Sequence, residues 1–300
     1  MKTTERQWYL FDVNPTTPPA FEVAPGEEFT LEVRGAFADV KDIRTVPTPF
    51  TPACDGHPLA PIAGPVRIRG ARPGDVVVVD LLEISPHGEG KTAIVRDFGV
   101  LRKEFGEPWA LACPVKDGTA WFGGRIPIAL NPNLGTVSTM PTEGYKPSYA
   151  GPYGGDFDQK DVRAGCRVRL PVMVDGALLF FADPHAAISD GIITGTGVEC
   201  DATVRARVTL EKGRRLDRPI LEVDDTVQVL GFGTTVELAT EDAARGAVEW
   251  FVDRTGMDRR EAYMLLSIVG ELRIGTSPRP VMAARLIIPR SIIEAAAESR

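Results

Sequence analysis

Thr203-Val-Arg-Ala-Arg-Val-Thr-Leu-Glu211 alternates apolar and polar side chains with strict period two. Successive side chains on a strand point to opposite faces, so this run predicts a strand packed on one side and wet on the other, the habit of antiparallel sheets. Phe29-Thr-Leu-Glu-Val33 alternates in the same way, and Asp75-Val-Val-Val-Val-Asp-Leu-Leu-Glu-Ile84 is β-branched and follows the turn Arg72-Pro-Gly74. Val168-Arg-Leu-Pro-Val-Met-Val174 and Ala177-Leu-Leu-Phe-Phe181 flank Asp175-Gly176, a pair suited to the two positive-φ positions of a type I′ turn, which predicts a hairpin there. The 30 Gly and 25 Pro fit many short strands joined by turns better than long helices.

The texture changes after Leu238. Thr240 is placed to cap a helix whose first turn carries Glu241 and Asp242, with Ala244, Ala247, Val248, Phe251 and Val252 on one face. Beyond Gly256 a second helix starts at Asp258, with Glu261 in the capping-box position and Ala262, Leu265, Leu266 and Val269 as its apolar stripe. Glu271-Leu-Arg-Ile274 and Met282-Ala-Ala-Arg-Leu-Ile-Ile288 return to strand. The expectation is a mainly β fold: a β-sandwich or barrel-like body over 1–235, with a small α+β unit over 236–300 packed on it.

Composition narrows the function classes. The net charge of −7 comes with 34 scattered basic residues, which argues against the clustered Lys/Arg face of a nucleic-acid binder. No run approaches the roughly 20 apolar residues of a membrane span, and Met1-Lys-Thr-Thr-Glu-Arg6 leads into polar sequence instead of a signal-peptide core, so a soluble cytoplasmic protein is expected. Cys54, Cys113, Cys166 and Cys200 stand far apart, without a C-x-x-C pair, and read as reduced thiols. No G-x-S-x-G elbow is present, which speaks against an α/β-hydrolase triad.

Chemistry concentrates around scarce imidazole. The 3 histidines are His57, His87 and His185, and His185 has carboxylates on both sides. Asp183-Pro-His185 ends an apolar strand, where side chains two residues apart share a face and could both bind one ion. A turn Asp before Pro and a hydrogen-bonded surface His would look the same. Gly154-Gly-Asp-Phe-Asp158 adds two carboxylates in a glycine-rich loop whose backbone can approach a ligand closely. His57 lies in a stiff, turn-rich segment, and His87, in Ser85-Pro-His-Gly-Glu-Gly90, reads as a solvated loop residue.

Taken in order, His57-Pro58, Gly64-Pro65, Gly70-Ala-Arg-Pro-Gly-Asp75, Asp97-Phe-Gly-Val-Leu101, Asn133-Leu-Gly-Thr136, Gly154-Gly-Asp-Phe-Asp158, Asp183-Pro-His-Ala-Ala187, Asp190-Gly191 and Gly195-Thr-Gly-Val-Glu199 resemble the acetamidase/formamidase family. Glu261-Ala-Tyr-Met-Leu-Leu-Ser267 extends the likeness into the last segment. The resemblance implies a metal-dependent hydrolase of small linear amides, releasing ammonia and a carboxylate, on a mainly β fold that forms a homodimer. Carried over position by position, it implies His57, Asp158, Asp183 and His185 as metal ligands, a set suited to zinc, with calcium the alternative as a structural ion. Such a site lowers the pKa of a bound water towards about 7, and an acid beside it must shuttle the proton to the departing amine. Glu199 and Asp190 are the candidates for that acid.

Three departures from the family's pattern carry an expectation of their own. The family has Glu where this chain has Ile192, small or amide residues where it has Ile188, and Asn where it has Asp156. Ile188 and Ile192 are therefore expected to shape the substrate pocket, and Asp156 to face the substrate or take over part of the proton work. The rival expectation is a non-catalytic homologue that keeps the pocket and the ion but has lost the shuttle.

Overall fold

The computed structural model describes residues 2–3, 9–54, 60–146, 148–276 and 279–298. The strand Val198–Glu211 is the spine of a mainly β architecture. Ala202, Val204, Ala206 and Val208 are fully buried on one face, while Thr203, Arg205 and Arg207 are half-buried on the other, as the period-two pattern requires. This strand pairs antiparallel with Val76–Ile94 on one side and with Glu28–Val33 on the other. On its wet face Arg205 and Arg207 both reach Glu28 across the ladder. On its dry face Val204 and Ala206 join Phe29, Leu31, Val77, Val79 and Phe181 in the main core, where the Phe29 and Phe181 rings stack with centroids 6.1 Å apart.

Among the described residues, seventeen strands form one curled sheet, and Val115–Lys116, Thr119–Phe122 and Ile126–Ala129 form a separate three-stranded sheet. Ile220–Val223, Thr226–Gly233, Met282–Pro289 and Glu271–Thr276 continue the large sheet in that order. The helix Val236–Thr255 lies on this extension, burying Ala239, Ala243, Ala247 and Phe251. The helices Arg259–Val269 and Arg290–Glu298 complete the apolar cluster with Ala262, Leu266, Ile293 and Ala296.

Three local expectations need correction. Arg167–Pro171 and Leu179–Ala187 do not pair with each other: the first pairs with Val76–Ile94 and Ile220–Val223, the second with Asn133–Ser138, Ile62–Ile68 and Val198–Glu211. The positive φ values fall on Gly176, Ala177 and Leu178, and the turn's backbone is tied to Ile68 and Ala71, so the chain crosses to another part of the sheet. The first helix begins at Val236 with Thr235 as its cap, the Thr235 side chain accepting from Leu238 N–H; the Ala239/Ala243 contact with the sheet extends it N-terminal to the expected start. His87 sits within the strand Val76–Ile94, opposite Asp201, with Nε2 3.3 Å from Glu32. The second helix keeps its expected cap, Asp258 accepting from Arg260 and Glu261 N–H, and Gly256 ends the first in the left-handed conformation.

Candidate metal and active site

The site is built around the strand Asn133–Ser138, which lies between Gly154–Asp156 and Leu179–Ala187. Asn133 is opposite His185, and Thr136 is opposite both Ala182 and Asp156. The glycine-rich segment is possible only without side chains: a Cβ on Gly154 or Gly155 would stand 2.3 Å from the carbonyl of Val137 or Tyr149, and both residues have positive φ. That close approach carries Asp156 and Asp158 in beside Asp183. Asp158 and Asp183 themselves have φ of 42° and 57°. Non-glycine residues held in this region cost about 1–3 kcal/mol each and cluster at functional sites.

One ligand atom each from Asp158, Asp183 and His185 lies within 4.8 Å of the others, and all three residues are buried. His185 Nε2 is 3.7 Å from Asp183 Oδ2 and 3.2 Å from Glu199 Oε1. Gly135 marks the gap between them: a Cβ there would be 2.4 Å from Asp158 Oδ1 and 2.7 Å from Asp183 Oδ2. Asp158 Oδ1, His185 Nε2 and Glu199 Oε2 are buried without a hydrogen-bond partner. Buried polar atoms are normally satisfied, so this convergence fits a cation of small radius bound by mixed nitrogen and oxygen donors.

The second ring nitrogen fixes the first. Asn133 Nδ2 donates to the carbonyl of Gln159 at 3.1 Å, which turns Oδ1 towards His185 Nδ1 at 3.0 Å. Nδ1 is thus the donor, and Nε2 is the atom presented to the cluster. Burial pushes the His185 pKa down, but Glu199 and Asp183 outweigh it and hold the imidazole at about 10. Burial raises Asp183 well above the usual carboxylate range, with Glu199 adding to the effect, and raises Asp156 to about 7 against the pull of Arg279. Asp158 is raised for the same reason. Ligands coordinate in their deprotonated forms, so binding of an ion by these groups would release protons.

Glu199 lies across the ladder from His185 in the spine strand, its Oε1 accepting from Gly197 N–H at 2.8 Å. With Asp156, Asp183 and Arg279 it forms the polar side of a cavity of about 30 Å³, whose other walls include Phe37, Phe50, Val95 and Phe98. Roughly 10–15 Å³ accommodates one water, so the space suits only very small molecules.

Not every expected residue joins this group. Asp190 is held by Arg285, whose Nη2 is 3.0 Å from both of its oxygens, with Lys160 and Arg273 at 3.8 and 3.7 Å. Ile188 and Ile192 are buried at 8% and 5% exposure but do not line the cavity; Gly195 does. His57 lies outside the described residues. Two further residues complete the group, and the sequence alone assigns neither a role. Asn133 belongs to the family-like segment Asn133-Leu-Gly-Thr136, which is its signal. Arg279, between Pro278 and Pro280, has none: it is brought in from more than a hundred residues away to donate to Asp156 Oδ2 and, at 2.6 Å, to Asp158 Oδ2.

The sequence profile of the Acetamidase/Formamidase family matches residues 10–143 and 135–295. The chain belongs to the acetamidase/formamidase family. An acetamidase from Mycolicibacterium smegmatis is 25% identical over 272 residues, 67% of this chain and 65% of its own length, so the match spans less than two thirds of that relative. The crystal structure of an acetamidase from Bacillus halodurans superposes with a TM-score of 0.88 at 28% identity, covering 96% of this chain and 97% of its own. An acetamidase from Yersinia enterocolitica gives a TM-score of 0.87 at 27% identity, covering 95% and 89%. Among the described residues no helix is long and apolar enough to cross a membrane.

Proposed function

We propose that this chain hydrolyses the C–N bond of a small linear amide, giving a carboxylate and ammonia, with a divalent ion of the zinc type held by Asp158, Asp183 and His185. The observation that carries the reading is the convergence of buried ligand atoms of Asp158, Asp183 and His185 within 4.8 Å of one another, with Asp158 Oδ1 and Asp183 Oδ2 at the Gly135 gap and Asp158 Oδ1 without a hydrogen-bond partner. The family membership supplies the reaction class. An ion bound there supplies positive charge that polarises a carbonyl and acidifies water.

The residues around it divide the remaining work. Asn133 keeps the His185 ring in one orientation. Glu199 touches the cavity and has one oxygen, Oε1, fixed by the Gly197 amide and the other, Oε2, without a partner. It is the group to accept the proton of the attacking water and return it to the amide nitrogen, which leaves poorly unless protonated. Asp190, tied to Arg285, holds the loop that leads to Gly195 and takes no proton step in this reading. The Phe37, Phe50 and Phe98 wall and the small volume favour formamide- and acetamide-sized substrates over bulkier ones. The same reading includes His57 as a further ligand and a cytoplasmic homodimer with no nucleic-acid or membrane partner; light scattering on purified protein tests the dimer.

The direct test is ammonia release from a panel of short amides, using zinc-loaded protein with and without chelator. Turnover of the smallest amides that is lost on chelation and restored by zinc is expected. Absence of turnover across the panel in metal-loaded protein would overturn catalysis and favour the non-catalytic binder.

A further inference from the structure

The cluster already contains a cation of its own. The Arg279 side chain is 6% exposed, and the carboxylates it bridges, Asp156 and Asp158, are 1% and 0% exposed. Its Nη1 donates to Asp156 Oδ2 and its Nη2 to Asp158 Oδ2 at 2.6 Å, while its Nε is buried without a partner. Burial opposes its charge, but Asp156 and Asp158 hold it firmly protonated. Four carboxylates, Asp156, Asp158, Asp183 and Glu199, would otherwise share this enclosed space with His185 alone. Arg279 takes one oxygen of Asp158; the other, Oδ1, faces the Gly135 gap beside Asp183.

We infer that Arg279 is a built-in counter-cation that holds the acidic seat together in the metal-free protein and limits how tightly the seat takes an ion, because guanidinium and ion lean on opposite oxygens of the same carboxylate. The inference rests on Asp158, Asp183 and His185 being the ligands. Two positive charges on one carboxylate repel each other and divide its electron density, so each binds more weakly in the presence of the other. Asp156 makes the arrangement self-consistent: it gives the guanidinium a second anion, and so a reason to stay when Asp158 is shared. Bidentate, planar pairing of this kind is specific to Arg, and Lys would reproduce the charge but not the bridge.

The test uses the full chain stripped of metal. Zinc affinity is measured by competition with a chromogenic chelator, and the melting temperature is followed with and without zinc, for the wild type, Arg279→Gln and Arg279→Lys. Arg279→Gln is expected to bind zinc at least about tenfold more tightly, to melt lower without zinc, and to gain more from zinc than the wild type does, since stabilisation by a ligand rises with the logarithm of its affinity. Arg279→Lys should fall between the two. A folded Arg279→Gln with equal or weaker zinc affinity would overturn the inference and leave Arg279 a structural clamp. If Arg279→Gln does not fold without zinc, Asp156→Asn with Arg279→Gln removes one acid together with the guanidinium, and the same tightening relative to Asp156→Asn alone is expected. Zinc binding by none of the proteins would bring down the ligand assignment itself, a result distinct from equal binding by all.

Discussion

Gly135→Ala puts one methyl group where the ion is proposed to sit. The Gly135 backbone is not in the left-handed region, so alanine is tolerated there and the effect comes from the added atom alone. That atom would meet Asp158 Oδ1 at 2.4 Å, Asp183 Oδ2 at 2.7 Å and the Asp183 carbonyl at 3.1 Å, where real Cβ contacts essentially never fall below 3.0 Å. Zinc–oxygen bonds are about 2.0–2.2 Å, so the methyl occupies nearly the same place as the ion and forces both carboxylates back by several tenths of an ångström. Overfilling a packed site costs about 1–3 kcal/mol, or a melting temperature lower by roughly 2–12 °C in a domain of this kind. Coordination tolerates displacements of only about 0.2 Å, so zinc affinity should drop at least about 100-fold, beyond the effect of a typical supporting residue. Circular dichroism and a thermal melt check the fold, and chelator competition reads the affinity. A folded Gly135→Ala protein that binds zinc as the wild type does would refute the placement of the ion among Asp158, Asp183 and His185.

Three further outcomes are expected. Glu199→Gln should lower kcat by about 100-fold or more with zinc content unchanged, since the amide cannot carry a proton from water to the leaving nitrogen; steady-state kinetics beside elemental analysis reads both. Asn133→Leu removes the acceptor that orients His185 and should weaken zinc binding by about 10–100-fold, measured calorimetrically. Asp75 lies far from this chemistry and tests the fold: its carboxylate accepts from Arg72 N–H, Gly213 N–H and Lys212 at 2.8, 2.9 and 2.6 Å, and although burial works against ionisation, these bonds hold its pKa below 3.8. Asp75→Asn should destabilise by about 1.5–3 kcal/mol in urea titrations at neutral pH. A carboxylate with a depressed folded pKa stabilises above its unfolded pKa and loses that contribution as pH falls through the folded value, so the gap between wild type and variant should narrow as the solution is acidified below the ordinary carboxylate range.

The architecture was legible where its cause is local. Period-two alternation in Thr203–Glu211 and Phe29–Val33 needs only a face to bury, and the sheet supplies one; Asp258 caps a helix because its own side chain reaches the next amides. Where the cause is tertiary, the reading failed in a physical way. Asp175-Gly176 carries a hairpin signal, yet the turn moves on by one residue because Ile68 and Ala71 bind its backbone and draw the following strand to another neighbour. Thr235 and Thr240 are equally good caps by type, and only the packing of Ala239 and Ala243 on the sheet chooses the first. The site divides along the same line. Asp158, Asp183, His185 and Glu199 stand in quotable segments whose order points to a family, whereas a surface-type Arg between prolines acquires its place only when the last strands fold back.

Those last strands explain why the C-terminal segment matters to a site made mostly of body residues. Glu271–Thr276 and Met282–Pro289 pair antiparallel, and the link between them carries Arg279 to Asp156 and Asp158. From the same pair of strands Arg285, fully buried, binds both Asp161 and Asp190, and the carbonyl of Gly275 accepts from Gly191 N–H. Asp190 and Gly191 begin the loop whose Gly195 lines the cavity and which runs on to Glu199. One hairpin therefore touches the acidic seat directly through Arg279 and the loop beside it through Arg285. A buried arginine between two acids is a poor source of stability on balance, but removing it strands their charges, commonly at a cost of about 3–5 kcal/mol. Its position argues that Asp190 fixes the route of the chain from Ile188 to Glu199, a supporting part that, under the proposed hydrolysis, leaves the proton transfer to Glu199.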